Sequence, residues 1–180
     1  MAPIVAWTVG HSTRTQEQLL EILRAAKIGL VVDVRSFPSS RRYPQFNRAA
    51  LEHWLPAAGI DYLHLPELGG RRDPAPASPN DGWRERGFRG YADHMGSVQF
   101  AAGLHRVEQL AQAKPTALMC AEALWWRCHR RLIADALTVR GWDVQHLGSA
   151  APVKHELTPF AEVGERGALT YPAPQTSLEV

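Results

Sequence analysis

Apolar residues fall into two alternating patterns along the chain. Residues 4–9, 30–34, 61–65, 116–120 and 143–147 are short apolar runs of strand length, several rich in β-branched side chains. Between them, apolar positions recur at helical spacing. Leu19, Leu20, Ile22 and Leu23 supply one face of a helix running to about Ala26, with Thr15 at its N-cap and Gln18 placed for a capping box. Asn47 caps a second helix that ends near Ala58 and Gly59. A long helical stretch covers residues 91–113, with a break expected at Gly96 or Gly103. Residues 128–140 form the last helix, closed by Gly141. Helices alternating with strands predict one α/β domain, a mostly parallel β-sheet with helices on both faces in a Rossmann-like three-layer arrangement. The domain is expected over residues 1–158, with 159–180 a C-terminal arm or tail.

Two stretches follow neither period. Residues 35–46 hold two prolines together with Arg35, Arg41 and Arg42, and Arg48 follows closely. Residues 66–90 are the longest irregular segment, with Gly69 and Gly70 near its start and three prolines between 73 and 79. A loop of this length inside a compact domain reads as a binding loop or lid, or else as a disordered segment.

Composition narrows the classes. The 180 residues carry a formal net charge of +2, yet the basic set is 17 Arg and only 3 Lys. Nine of those arginines lie between residues 35 and 89, against six acidic residues. That excess is too small for a duplex-DNA groove and suits local recognition of a phosphate or carboxylate by guanidinium forks. Two cysteines exclude a disulfide scaffold and a four-cysteine zinc site. No segment has the length and apolarity of a membrane helix, and the start lacks the pattern of a secretory signal. A cytoplasmic protein with no membrane partner is expected. No motif names a cofactor or an oligomeric state.

The unusual residues cluster where predicted strands end. Gly10, His11 and Ser12 follow the first strand, Asp33 and Arg35 close the second, Cys120 and Glu122 close the fourth, and His146 sits in the fifth. In an open α/β sheet the ligand crevice lies beyond the carboxyl ends of the strands, so His11, Asp33, Arg35, Cys120 and His146 could surround one mouth. His11 is a candidate acid, base or ligand, or a loop histidine bonded to nearby backbone. Asp33 could orient Arg35 or bind a substrate hydroxyl; capping its own turn is the alternative. Arg35, Arg41 and Arg42 could clamp a phosphate, or form a solvated loop. Gly69-Gly70-Arg71-Arg72 has the composition of a small anion nest. Cys120 is a candidate nucleophile or an inert buried thiol. Cys128, His129 and Arg130 open a helix whose N-terminus favours an anion or thiolate. His129 and Arg130 are expected to point in different directions, one facing the site and the other solvated. Cys120, Cys128 and His129 could also serve as metal ligands or a redox set. Asp135 and Arg131 have the spacing of an ordinary helix-surface ion pair. Trp54 and Trp83 could stack on a base or anchor the core.

Taken in register, VGHSTRTQEQLLEIL, LVVDVRSFPSSRRYPQFN, LPELGGRR, GFRGYADHM, ALMCAEALWWRCHRRLIADAL and VQHLG resemble the DUF488 family, from about residue 7 to residue 148. A weaker match lies at Lys154-His155-Glu156-Leu157-Thr158. The resemblance implies a compact α/β domain and supplies no activity, cofactor or substrate. Family members often carry a proline between the positions of Glu122 and Cys128, where this chain has Ala123-Leu124-Trp125-Trp126-Arg127.

Three functional classes follow. The leading one is an enzyme-like strand-end pocket for a phosphorylated or carboxylate-bearing small molecule, a nucleotide or a nucleic-acid end. In it His11 or His129 acts as acid or base, and Cys120 is a possible nucleophile. Ser12, Asp33, Arg35, Arg41, Arg71, Arg72, Glu122 and Arg130 would hold the substrate. The second class is a non-catalytic nucleic-acid-binding or repair-associated module. The third is a metal or redox sensor built on Cys120, Cys128 and His129.

Overall fold

A computed structural model describes residues 4–174. Five strands run parallel: β1 (Val5–Gly10), β2 (Leu30–Asp33), β3 (Asp61–His64), β4 (Thr116–Cys120) and β5 (Asp143–Leu147). Their order in the sheet is β3-β2-β4-β1-β5, and a short sixth strand, β6 (Val153–Lys154), pairs antiparallel with β5 at the edge. Successive side chains of a strand point to opposite faces, and the core divides accordingly. Val31, Ala117 and Met119 join Leu19 and Leu23 of α1 (Gln16–Ala25) and Leu51, Trp54 and Leu55 of α2 (Arg48–Ala57). Leu30, Val32 and Leu118 join residues of three later helices, α3 (Arg86–His94), α4 (Val98–Ala113) and α5 (Arg130–Val139). The fold is an α/β domain with a mostly parallel sheet flanked by helices.

Local chemistry explains the element ends. Thr15 and Gln18 form the expected capping box at the start of α1, each side chain bonding the other's backbone N–H. Three helices end alike. The N–H groups of Ile28, Ile60 and Trp142 bond back to Leu23, Leu55 and Leu137, with Lys27, Gly59 and Gly141 in the left-handed conformation before them. Each buried residue after this turn leads the chain into β2, β3 or β5.

The long helical stretch is divided at residues 95–97, where Ser97 caps α4 by accepting the Phe100 N–H. The break therefore falls at Gly96. Gly103 stays inside α4 because Leu68 packs so closely that a Cβ there would lie 3.0 Å from it. Helix α3 begins at Arg86, so the irregular segment is shorter than its composition suggests. It is tied down by Asp93, which accepts from the Ala75 N–H, the Ser78 hydroxyl and the Asn80 amide. Beyond β6 the chain forms a two-stranded ribbon, β7 (Glu162–Val163) with β8 (Leu169–Thr170), and buries Tyr171 against Trp83 and Phe160. Residues 175–180 of the expected C-terminal arm lie outside the described residues.

Candidate functional site

Adjacent strands β1 and β4 send the chain to opposite faces, β1 to α1 and β4 to α5, which opens a crevice at their carboxyl ends. A cavity of about 740 Å³ occupies it. His11 and Ser12 line it from the end of β1, Arg35 from β2, Cys120 and Glu122 from β4, and Cys128 and His129 from the approach to α5. Gly70 and Arg71 of the long loop and Phe88 of α3 complete the opposite wall.

One side of the cavity is a buried ion pair with a histidine resting on it. Asp33 accepts from Arg35 Nε at 2.8 Å and NH2 at 2.6 Å, from the Arg35 backbone N–H, and from the Tyr62 hydroxyl at 2.7 Å. Burial and the Asp33 carboxylate push the Tyr62 phenol far above its ordinary value. Arg35 NH1 lies 3.1 Å from His11 Nε2, while His11 Nδ1 lies 2.9 Å from the Ser12 carbonyl. Only one tautomer satisfies both contacts: Nδ1–H donates to the carbonyl and Nε2 accepts from the guanidinium. Burial lowers the His11 pKa to about 4, with the Arg35 charge adding to the effect and the Ser12 bond opposing it. His11 is therefore neutral at pH 7 with both nitrogens occupied. The turn it begins is strained, since Ser12 adopts φ 50° without being glycine.

The other side is a pair of thiols. Cys120 Sγ and Cys128 Sγ lie 2.8 Å apart, and both residues are buried. His129 Nε2 lies 2.7 Å from the Val34 carbonyl, which fixes the proton on Nε2 and turns the Nδ1 lone pair toward Cys128 Sγ, 3.4 Å away. Burial lowers the His129 pKa, so the ring awaits a proton rather than carrying one. The two thiols are unequal. Burial raises Cys120 well above its ordinary value, and its neighbour Cys128 raises it further. Burial also opposes ionisation of Cys128, but the Cys120 hydrogen bond, the Arg130 charge and the Arg130 N–H groups outweigh it and hold this thiol below its ordinary value.

Beneath the thiols lies Arg130, fully buried. Its NH2 donates to the carbonyls of Glu122 and Ala123, at 2.7 and 2.9 Å, and NH1 donates to Thr8 Oγ1 at 3.2 Å. No carboxylate pairs with it among the described residues, and Nε has no partner. Gly10 is required here, because a Cβ would overlap the Glu122 carbonyl. The Arg130 bond to Thr8 continues inward as a buried chain from Thr8 to His146 (2.6 Å), to His155 (2.9 Å) and to Asp135 (2.8 Å).

Several sequence-based expectations change. His146 turns into that chain and does not reach the cavity. His129 and Arg130 are not divided between site and solvent, for Arg130 is wholly buried. Asp135 is fully buried and serves His155, Thr158 and Tyr171, while Arg131 donates to Thr158 and lies 5.0 Å over the Trp83 ring. Gly69 and Gly70 form no nest of left-handed backbone. Their missing side chains let the loop press on Ser36 and on the His129 ring. Arg72 braces this loop by donating to the Gly69 and Pro66 carbonyls, and Arg41 is exposed outside the cavity. Trp54 and Trp83 are both buried and offer no face to a base. Among the described residues no group of three or more His, Cys, Asp or Glu side chains is disposed to hold a metal ion. No helix among them is long and apolar enough to cross a membrane.

Several wall residues escaped sequence reasoning, Phe88 among them. Arg127 and Phe37 reach the cavity, and Phe37 stands 69% exposed with the Arg71 guanidinium 5.7 Å from its ring. An aromatic two residues after Arg35, inside an arginine-rich loop, was the signal for Phe37. Arg127 follows two tryptophans in a short 3₁₀ turn, and nothing local marks it as facing inward.

Compared with known families, residues 15–137 match the family described as "Domain of unknown function DUF488". The matched stretch includes Asp33, Arg35, Cys120, Cys128 and His129 and begins after His11 and Ser12. No curated protein and no solved structure matches the chain.

Proposed function

The chain belongs to the DUF488 family, and as that description names no activity, we propose its function from the pocket: a thiol-dependent enzyme acting on a small anionic substrate. The substrate bears a carboxylate or phosphate, a nucleotide or the phosphorylated end of a nucleic acid being members of that class. The fold in this reading is a Rossmann-like three-layer arrangement used as a switch-point binding site. A reducing cytoplasm keeps both thiols free.

The observation that carries the proposal is Cys128, set between the Nδ1 lone pair of His129 and the buried charge of Arg130. A buried guanidinium without a counter-ion is strongly unfavourable, and the Cys128 thiolate supplies the missing anion. Cys128 replaces Cys120 as the nucleophile, because burial and its neighbour hold Cys120 protonated. His129 takes the Cys128 proton onto Nδ1 while Val34 holds its Nε2–H in place. Arg71 and Arg127 bind the substrate anion at the mouth, with Ser12 and Glu122 on the facing rim. Asp33, Arg35 and His11 keep that rim rigid; with both nitrogens occupied, His11 is a positioning residue here.

Paired alkylating reagents test this. Iodoacetate carries a carboxylate and iodoacetamide does not. Native protein at pH 7 should react at Cys128 with iodoacetate roughly tenfold faster than free cysteine does, and with a preference over iodoacetamide that free cysteine lacks. Arg71→Ala combined with Arg127→Ala should abolish the preference and leave iodoacetamide reactivity intact. Labelling of Cys120 before Cys128, or no labelling of the native protein, rejects the assignment.

A further inference from the structure

We propose that Cys120 is a resolving cysteine and that the pocket performs thiol–disulfide exchange on the disulfide of a small, carboxylate-bearing thiol. This rests on Cys128 being the nucleophile and narrows the substrate from small anions to disulfides.

The juxtaposition of the thiols carries the inference. Cys120 ends a strand and Cys128 precedes a helix, and the eight-residue step between them is an exposed loop with a 3₁₀ turn, Trp125–Arg127. Both residues line the same cavity, with their sulfurs 2.8 Å apart. A disulfide needs about 2.05 Å, so closure by less than about 1 Å joins them. The two cysteines stand at separate elements joined by this loop, so a small shift of either end closes the gap.

The order of events follows from the asymmetry of the pair. Cys128, next to Arg130, attacks first. Its thiolate bonds to one substrate sulfur, the substrate S–S bond breaks, and the first thiolate leaves and takes a proton from the imidazolium of His129. Cys128 is now a neutral mixed disulfide, so the negative charge that had raised Cys120 is gone while the Arg130 charge remains beside it. Cys120 gives its proton to His129 Nδ1 and attacks Cys128 Sγ. The bond from Cys128 to the substrate sulfur breaks, and the second thiolate leaves and takes that proton from His129. The substrate disulfide has gained two electrons and two protons, and the protein dithiol has become a Cys120–Cys128 disulfide. The guanidiniums of Arg71 and Arg127 match a substrate with carboxylates on both sides of its S–S bond, and Phe37 and Phe88 provide apolar walls for its stem.

Oxidised glutathione is the probe. The reduced protein is mixed with an excess, quenched with acid at intervals and read by intact mass and peptide mapping. The wild type should release two reduced glutathiones per chain and end with a Cys120–Cys128 disulfide. Cys120→Ser should stop at one glutathione on Cys128, and Cys128→Ser should acquire neither product. Arg71→Ala with Arg127→Ala should slow the reaction roughly tenfold with oxidised glutathione and leave the neutral bis(2-hydroxyethyl) disulfide unaffected. A stable adduct on Cys128 in the wild type, with no internal disulfide, overturns the resolving role while leaving Cys128 the nucleophile. Equal rates for the charged and neutral disulfides overturn the substrate class. Absence of any reaction at Cys128, with iodoacetate also unreactive, would remove the nucleophile itself.

Discussion

Arg35, just past β2, and Arg130, the first residue of α5, are both buried arginines, and they are treated in opposite ways. Arg35 meets a carboxylate: Asp33 takes two of its guanidinium N–H groups, and Phe46 and His11 take one each. Arg130 meets only neutral oxygens and keeps an unpartnered Nε. The first charge is neutralised on the spot and becomes scaffold. The second is left over, and its field falls on the two thiols. Counting basic residues cannot separate these cases; what distinguishes them is the chemistry of the acceptor.

The comparison breaks most visibly at Asp33. Asp33→Asn leaves the Arg35 charge buried without a counter-ion and should cost about 3–5 kcal/mol in urea unfolding. A loss below about 1 kcal/mol would show that Arg35 is not compensated as described. Acid tests the histidine resting on the same pair. His11 is held near pKa 4 when folded and titrates near 6.5 when unfolded, so the unfolded chain binds the extra proton in between. Stability should accordingly fall as pH drops from about 6.5 to about 4, by on the order of 3 kcal/mol from this residue. His11→Asn should flatten that part of the pH profile while leaving the slope unchanged above pH 7.

Arg130 is expected to differ in kind. Arg130→Met should reduce iodoacetate labelling of Cys128 at pH 7 by roughly tenfold, recovering at higher pH as the thiol ionises unaided. If labelling is unchanged, the uncompensated charge plays no part in activating the thiol. The smallest effect belongs to an exposed third arginine, Arg48, paired with Glu52 on the surface of α2. Glu52→Gln should leave the urea midpoint unchanged, because solvent screens the same pairing that burial makes decisive at Asp33.

Much of this arrangement is legible in the sequence. Five apolar runs gave the parallel strands, and the Thr15 capping box and the Gly96 break followed from side-chain chemistry close in sequence. The strand-end rule correctly gathered His11, Arg35 and Cys120. What local pattern could not supply was the partner from far along the chain. Asp135 and Arg131 stand at surface-pair spacing, but Asp135 is claimed by His155 and Tyr171 from beyond the last long strand. The same limit misdirected His146, whose partners Thr8 and His155 lie 138 and 9 residues away. Nor could the alternation of strands and helices show β4 inserted between β2 and β1, the placement that puts Cys120 beside Gly10. Cys128 was visible as a thiol at a helix start, yet its precedence over Cys120 depends on the buried guanidinium beneath it.

Gly70 presses so closely on His129 that a Cβ would overlap its Nδ1. The long loop and the proton acceptor of the thiol therefore meet with no room for even a methyl group between them. A methyl group at this backbone position would rewrite the acid–base chemistry of a cysteine nearly sixty residues further along the chain.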